Sequence, residues 1–395
     1  MTKLDEVLTR GVAEVIKKES LVARLSSGKK LVIKLGIDPT SPDLHLGHYL
    51  VLQKLAEFQN LGHSAVLVIG DFTALVGDPS GRNTKRVALS KEQIAANMSK
   101  YIEQAGKIID TKKAEIVYNS SWFDKLGIEG IMELASRATF AQIMEREEFK
   151  TRVKRDNLSL LEILYPLLQA YDSVMLKADV EIGGLDQKLN LIMGRQIQKR
   201  YGQKEQDIVM TPLLVGLDGK EKMSKSTGNY IAFHDTPEDM FGKIMSIPDN
   251  LVKEYFIYCT RIPLREIEVD FEVLKTGKLK PIDIKKKLAT KIVEMYYGAK
   301  EAAAARGEFE RVIQKGEAPT ARGTATLTEN KLNVVDFLVK SGMVDSKSEA
   351  RRLIEQRGVT VDNRRIENAE EEIELHEGSI AQIGKLKVVE VKIVK

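Results

Sequence analysis

The sequence predicts an α/β fold built on a parallel sheet, followed by an all-helical region and a small tail of mixed helices and strands. Three observations lead there. Over the first 232 residues, short β-branched runs alternate with longer stretches of helical period, the pattern of strands joined by crossover helices. One of these runs, Ala65 to Gly70, is apolar at almost every position, as a strand covered on both faces reads. Beyond about residue 232 the strand-like runs stop, and from 236 to 315 the period is nearly all helical.

Taken in order, residues 3–25 read as an amphipathic helix, with Leu4, Val7, Leu8, Val12, Val15 and Ile16 near helical spacing. Leu31 to Gly36 is a short strand, and Pro39 and Pro42 impose an extended turn after it. A helix follows from about His45 to Leu61, then the strand at Ala65 to Gly70. Further strands are predicted at Glu115 to Tyr118, near Asp179 to Ile182 and at Ile208 to Met210, with helices at 122–148 and 159–177 between them. Residues 316–330 are rich in Gly, Pro, Thr and Ala and read as a linker. Residues 331–395 form the tail: two helices, then short strands such as Val359 to Val361 and Lys387 to Val394. The domains are therefore placed at 1–232, 233–315 and 331–395.

Composition narrows the function. A chain of 395 residues is too long for one ordinary domain, and 43% hydrophobic with 30% charged residues is normal for a protein with real cores. The formal net charge of +4 permits nucleic-acid binding without arguing for it. One cysteine, Cys259, excludes a disulfide framework and a cysteine-based zinc site, and suits a reducing cytosol. No apolar stretch is long enough to span a membrane and no signal peptide fits the charged N-terminus, so a cytoplasmic protein is expected. Lysines cluster at 278, 280, 285, 286, 287 and 291; such a run is either a solvated helix face or a nucleic-acid contact.

Three motifs carry chemistry. His45-Leu46-Gly47-His48 opens a helix just after the first strand, so two imidazoles share one face beside free backbone N–H groups and the positive end of the helix dipole. That setting suits phosphate, and Gly47 lets a flat ring approach the backbone. A metal pair is the competing reading, but the chain has five histidines and no third ligand is near in sequence. Lys222-Met223-Ser224-Lys225-Ser226, flanked by Gly219 and Gly228, is either a basic surface loop or one that closes over a polyphosphate as pyrophosphate departs. Tyr165, Gln169 and Asp172 sit at i, i+4 and i+7 of one helix and share a face. With Leu164, Leu168 and Val174 around them, that polar stripe lines a pocket more naturally than it faces solvent.

In this order, HxGH after the first strand and KMSKS after the last are the signature of class I aminoacyl-tRNA synthetases, and the Y-x3-Q-x2-D helix resembles the bacterial tyrosyl branch. The resemblance implies a Rossmann-like catalytic domain, a helical domain on the anticodon side of the tRNA, and a tail similar to the S-four family of RNA-binding modules. It implies that L-tyrosine is activated by ATP, with Mg2+, and passed to the terminal adenosine of tRNA(Tyr) by a homodimer. It places Thr40, His45, His48, Lys222, Lys225 and Ser226 in catalysis. Gly36, Asp38, Gly47, Gly183, Gly184 and Asp186, with Lys225, would hold ATP: the glycines against adenosine, Asp186 on the ribose. Asp172 would accept the substrate's phenol, while Tyr165, Gln169 and Asp78 hold its ammonium. Thr73 and Asn119 would line that pocket and Gln187 would lie near the carbonyl. Arg82 and Arg86 fall where the family has basic residues near pyrophosphate or the acceptor end, and Arg351, Arg352 and Arg357 would meet RNA backbone.

The chain departs from the best-known branch at Lys34, where a tyrosine touching the phenol is usual, and at Glu181 and Leu185 beside the Gly183-Gly184 motif. It is similar to a second bacterial branch at Lys34, Glu181 and the full KMSKS. Three other readings remain: a tryptophanyl-tRNA synthetase, disfavoured by Tyr165, Gln169 and Asp172; a small nucleotidyltransferase, which would not need the KMSKS motif or the tail; and a non-catalytic RNA-binding relative, in which a motif histidine or lysine would usually be lost.

Overall fold

The structure, a computed structural model, describes residues 3–80, 89–145, 147–155, 158–314, 323–344, 346–384 and 387–394. It divides into two compact units: Met1–His234 with Ile247–Val273, and Asp235–Ser246 with Leu274–Lys395.

The first unit begins α1 (Lys3–Val7), β1 (Glu14–Ile16), α2 (Lys18–Ser26), β2 (Val32–Ile37), α3 (Leu46–Asn60), β3 (Ser64–Ile69) and α4 (Thr73–Val76). It continues α5 (Lys91–Ala105), β4 (Glu115–Tyr118), α6 (Ser120–Ser136), α7 (Phe140–Ile143), α8 (Glu147–Lys154), α9 (Leu160–Leu176), β5 (Val180–Gly184), α10 (Lys188–Arg200) and β6 (Asp207–Thr211). The strands form one sheet in the order β1-β6-β5-β2-β3-β4. All neighbours are parallel except β1, which runs antiparallel to β6. Chain order reverses between β2 and β5, and ligands of such sheets bind beyond the strand ends at that point. There Gly36 and Asp38 leave β2 while Gly183 and Gly184 end β5.

Two sequence expectations are corrected here. The N-terminal helix is broken into α1 and α2 around β1, which pairs Glu14 to Ile16 with Met210 to Ile208. Gly11 and Lys17, both at positive φ, interrupt helical geometry on either side of it. Val12, Val15 and Ile16 fit a short half-buried strand as well as a helix face, so periodicity alone did not separate them. The stretch 122–148 is three helices: Gly127, at φ 65° and ψ −179°, kinks α6, and Thr139 caps a new start with Gln142.

The chain goes on through α11 (Pro237–Ser246), α12 (Val252–Cys259), α13 (Leu264–Lys275), α14 (Pro281–Tyr297) and α15 (Ala299–Phe309). In the second unit, α11, α14 and α15 bury Met240, Phe241, Ile244, Leu288, Ile292 and Phe309, with the Phe241 and Phe309 rings 5.4 Å apart. The lysine run is no uniform solvated face, for Lys286 is buried and pairs with Glu310 at 2.9 Å.

The tail comprises β7 (Gly323–Leu327), β8 (Lys331–Asn333), α16 (Val334–Lys340), α17 (Lys347–Glu355), β9 (Val359–Val361), β10 (Arg364–Arg365), β11 (Glu372–Glu374), β12 (Ile380–Ile383) and β13 (Lys387–Ile393). Its main sheet runs β10-β9-β12-β13-β7, over a core of its own that includes Phe337, Leu338, Ile354, Val359 and Val391. Strand β7 lies inside the segment read as a linker; its Thr and Ala residues pair with β13.

Candidate active site

The floor of the site is the loop leaving β2. Asp38 accepts from the Tyr165 hydroxyl at 2.9 Å and from Thr73 Oγ1 at 2.8 Å. It thereby joins the β2 end to α9 and α4. Gly70 makes room for this: a Cβ there would collide with both Asp38 and Thr73. Asp38 was assigned to ATP by resemblance, and the structure seats it among the residues assigned to the amino acid.

Behind Tyr165 lies Asp172, buried at 4% exposure. Its carboxylate accepts from Trp122 Nε1 at 3.0 Å and from Asn119 Nδ2 at 3.4 Å. Burial pushes its pKa up to about 7, opposed by Lys34 and by the Trp122 and Asn119 hydrogen bonds. Trp122 is a partner that the sequence reading missed. Its position was legible: the chain's single tryptophan stands three residues after Asn119 in the first turn of α6. On the opposite wall, Gln187 Nε2 donates to Asp78 Oδ2 at 2.7 Å, while Asp78 Oδ1 accepts the Ser80 N–H at 2.9 Å.

Another wall of the site is the start of α3. His45 is its N-cap, in extended conformation, and its Nδ1 accepts the Gly47 N–H at 3.1 Å. His48 Nδ1 accepts the His45 N–H at 3.2 Å. The two imidazoles thus form a capping box, a role usually taken by Ser/Thr and Glu/Gln. With both Nδ1 atoms accepting, the ring protons belong on Nε2. Burial first, then His48 and the nearby Lys225 and Lys222, hold the His45 pKa far below its ordinary value. Burial and Lys225 lower His48 to about 3. Both rings are therefore neutral donors at ordinary pH. A Cβ on Gly47 would stand 2.9 Å from the His45 ring, so the glycine is needed by the cap as well as by any ring above it.

The loop after β6 brings the lysines. Lys222 pairs with Asp186 at 2.8 Å, and Lys225 donates to Ser41 Oγ. Burial lowers Lys225 to about 8, against Asp43, which raises it. Asn229 braces the loop, accepting from the Ser224 N–H at 2.8 Å and donating to Asp218 at 2.7 Å. Ser226 Oγ and Ser224 Oγ lie 2.8 Å apart.

These elements enclose one cavity of about 650 Å3. It brings together Gly36, Asp38, Thr40, His45, Gly47, His48, Thr73, Asp78, Tyr165, Gln169, Asp172, Gly183, Gly184, Asp186, Gln187, Lys222, Lys225 and Ser226. Asn119 sits behind Asp172 rather than on the wall. Arg82 and Arg86 lie outside the described residues. Arg351, Arg352 and Arg357 belong to the second unit. There Arg351 is 3.2 Å from Glu370 and Arg357 is 3.7 Å from Glu367, so the basic patch is interleaved with acids.

Residues 26–314 match the model of the tRNA synthetases class I (W and Y), and residues 333–377 match that of the S4 domain. A tyrosine–tRNA ligase of Moorella thermoacetica is 45% identical, over 96% of this chain and 94% of its own. One of Thermotoga maritima is 46% identical, over 97% and 95%. The chain belongs to the tyrosine–tRNA ligases. The tryptophan-specific, nucleotidyltransferase and non-catalytic readings fall away with that. The ligase's fold is also that of the tyrosyl-tRNA synthetase of Archaeoglobus fulgidus solved with L-tyrosine, at a TM-score of 0.63 and 27% identity, covering 78% of this chain and 100% of that one. Within the ligase, the capped histidines of α3, the lysines of the loop after β6 and the polar stripe of α9 share a single cavity at the strand ends.

Proposed function

We propose that this cavity forms tyrosyl-adenylate from L-tyrosine and ATP and then loads tyrosine onto tRNA(Tyr). The observation that carries the reading is the shared wall. The capped histidines of α3 and the lysines of the loop after β6 face the same space as Tyr165, Gln169 and Asp172. Asp172 accepts the phenol of the substrate, while Tyr165, Gln169 and Asp78 take its ammonium; Thr73 and Gln187 complete the pocket, with Asn119 and Trp122 orienting Asp172. Gly183 and Gly184 admit adenosine, Asp186 takes the ribose, and Gly36 and Gly47 give the nucleotide room.

The substrate's carboxylate oxygen attacks the α-phosphorus, and pyrophosphate leaves with the bonding pair. No protein nucleophile is needed. The Nε2–H groups of His45 and His48, the Thr40 and Ser226 hydroxyls and the Lys222 and Lys225 ammonium groups stabilise charge on the five-coordinate phosphorus and the leaving group. The hydroxyl of the terminal tRNA adenosine then attacks the activated carbonyl, and AMP leaves. Among the described residues no group of three His, Cys, Asp or Glu side chains is placed to hold a metal. Magnesium would accompany the substrate's phosphates and supply charge neutralisation there.

Residues 1–232 are assigned to activation, with Arg82 and Arg86 toward the acceptor end. Residues 233–315 and the tail module, which takes in β7 as well as 331–395, are assigned to tRNA, with Arg351, Arg352 and Arg357 on its backbone. The working form is a homodimer. Ile128, Met132, Phe140, Leu160 and Leu161 are 50–82% exposed and fall within one stretch of the catalytic unit, a density of apolar surface that suits an interface. A cytoplasmic location accompanies the reaction; no described helix is long and apolar enough to cross a membrane. The test is tyrosine-dependent exchange of pyrophosphate into ATP. Exchange supported equally by phenylalanine or tryptophan would overturn the assignment.

A further inference from the structure

Lys34 is 0% exposed and Glu181 1% exposed, and their charged ends meet at 2.8 Å. They are register partners on the parallel strands β2 and β5. The ammonium has three acceptors: Glu181, the Gln169 carbonyl at 2.9 Å and Ser173 Oγ at 2.8 Å. The Glu181 carboxylate is equally occupied. It accepts from Gln169 Nε2 at 3.3 Å, from Ser173 Oγ at 3.1 Å and from Gln206 Nε2. Gln169 and Ser173 flank Asp172 on α9. A buried ion pair costs desolvation and is often replaceable by apolar residues without loss of stability. Its place directly beneath the amino-acid pocket calls for another account.

We infer that Lys34 and Glu181 are positioning residues for amino-acid recognition: together they seat Gln169 and set the electrostatic field in which Asp172 meets the substrate's phenol. The inference rests on the reading of Asp172 as acceptor of that phenol. The charges facing Asp172 are few. Lys34 faces it from β2 and Glu181 from β5, while α6 offers the neutral Trp122 and Asn119. From α10 comes neutral Gln198, which donates to Ser173 O and Ala178 O. From α4 comes neutral Thr73, engaged with Asp38 and Asn119. One cation and two carboxylates thus share a buried space. Removing the cation disfavours a second negative charge there, whereas neutralising Glu181 favours it. The directions agree with the shifts at Asp172, which Lys34 lowers and Glu181 raises.

The opposite signs supply the test. Adenylate formation is followed with the full chain over roughly two pH units on each side of neutrality, the range in which charged neighbours move such a carboxyl. Asp172→Asn, Lys34→Met and Glu181→Gln are compared with the parent. The acid limb of kcat/KM for tyrosine should rise by about one unit in Lys34→Met and fall in Glu181→Gln. The KM for tyrosine should grow about tenfold or more in Lys34→Met, as the Gln169 carbonyl and the Glu181 carboxylate that holds the Gln169 amide both lose their cation. A packing role alone would not move the two limbs in opposite directions. Limbs that stay put, or move together, overturn the inference. If Lys34→Met does not fold, the near-isosteric Glu181→Gln decides: a lowered limb supports the inference and an unmoved one overturns it. Asp172→Asn separates the layers. If it still prefers tyrosine over phenylalanine as the parent does, the pocket reading has failed. If it loses the preference while the other limbs stay put, only the ion pair's role has failed.

Discussion

Replacing His45 by asparagine and by alanine should separate two jobs that the structure combines in one ring. Nδ1 caps α3 through the Gly47 N–H at 3.1 Å, and the His45 N–H is held by His48 at 3.2 Å. On the proposed reading, Nε2–H is left for an oxygen of the α-phosphate. Asparagine is among the best N-cap residues, so His45→Asn keeps the cap but withdraws the donor. Its unfolding free energy should stay within about 0.5 kcal/mol of the parent. The rate of pyrophosphate release should fall about 10²- to 10³-fold, the loss associated with one donor aimed at developing charge. His45→Ala withdraws both functions. It should lose a similar rate and about a further 1 kcal/mol of stability. Because the ring is already neutral across ordinary pH, neither variant should move the acid limb of the rate profile. Stopped-flow measurement of pyrophosphate release and urea unfolding supply the two readouts. A parental release rate in His45→Asn would refute the assignment of Nε2–H to the transition state. Equal stability of the two variants would refute the cap.

Lys225→Ala should slow adenylate formation about 10²-fold while changing the KM for tyrosine little, since the lysine lies on the phosphate side; single-turnover kinetics at saturating tyrosine checks this. A chain ending at Gln314 should keep pyrophosphate exchange and lose most tRNA charging, because the tail has its own core and holds Arg351, Arg352 and Arg357. Its tRNA binding should also lose about one unit of salt slope per phosphate contact removed. Met132→Glu, at 67% exposure on α6, should leave folding intact and convert the dimer to a monomer, read by light scattering after gel filtration.

How legible all this was from sequence differs by residue for physical reasons. Strands β2, β3, β5 and β6 were placed within two residues because covered strands read as apolar runs, and the half-exposed edge strand β4 by its β-branched pair Ile116-Val117. The edge strand β1 was not, because three residues carry too little period to separate strand from helix. The linker reading missed β7 for a related reason. A Thr/Ala-rich edge strand lacks the bulky residues that announce one, and its pairing partner β13 lies more than sixty residues away.

The site followed the same logic. Residues that must present themselves to substrate fall at fixed intervals along one element, as Tyr165, Gln169 and Asp172 do on α9, and spacing alone places them on a face. Residues that hold those side chains in place come from other elements and are related only by the fold. Asp38 reaches Tyr165 across 127 positions and Lys225 reaches Ser41 across 184. Lys34 is the sharpest case. As sequence it stood out, like Glu181, as a departure from the best-known branch, with nothing to join the two across 147 positions. Only when β2 and β5 lie side by side does Glu181 meet it. A lone lysine inside a buried strand therefore implies a buried acid from another strand, since an unpaired ammonium there would cost several kcal/mol. What the sequence could not supply is where that acid stands and that the pair borders the amino-acid pocket, and on that placement the opposed pH shifts of Lys34→Met and Glu181→Gln depend.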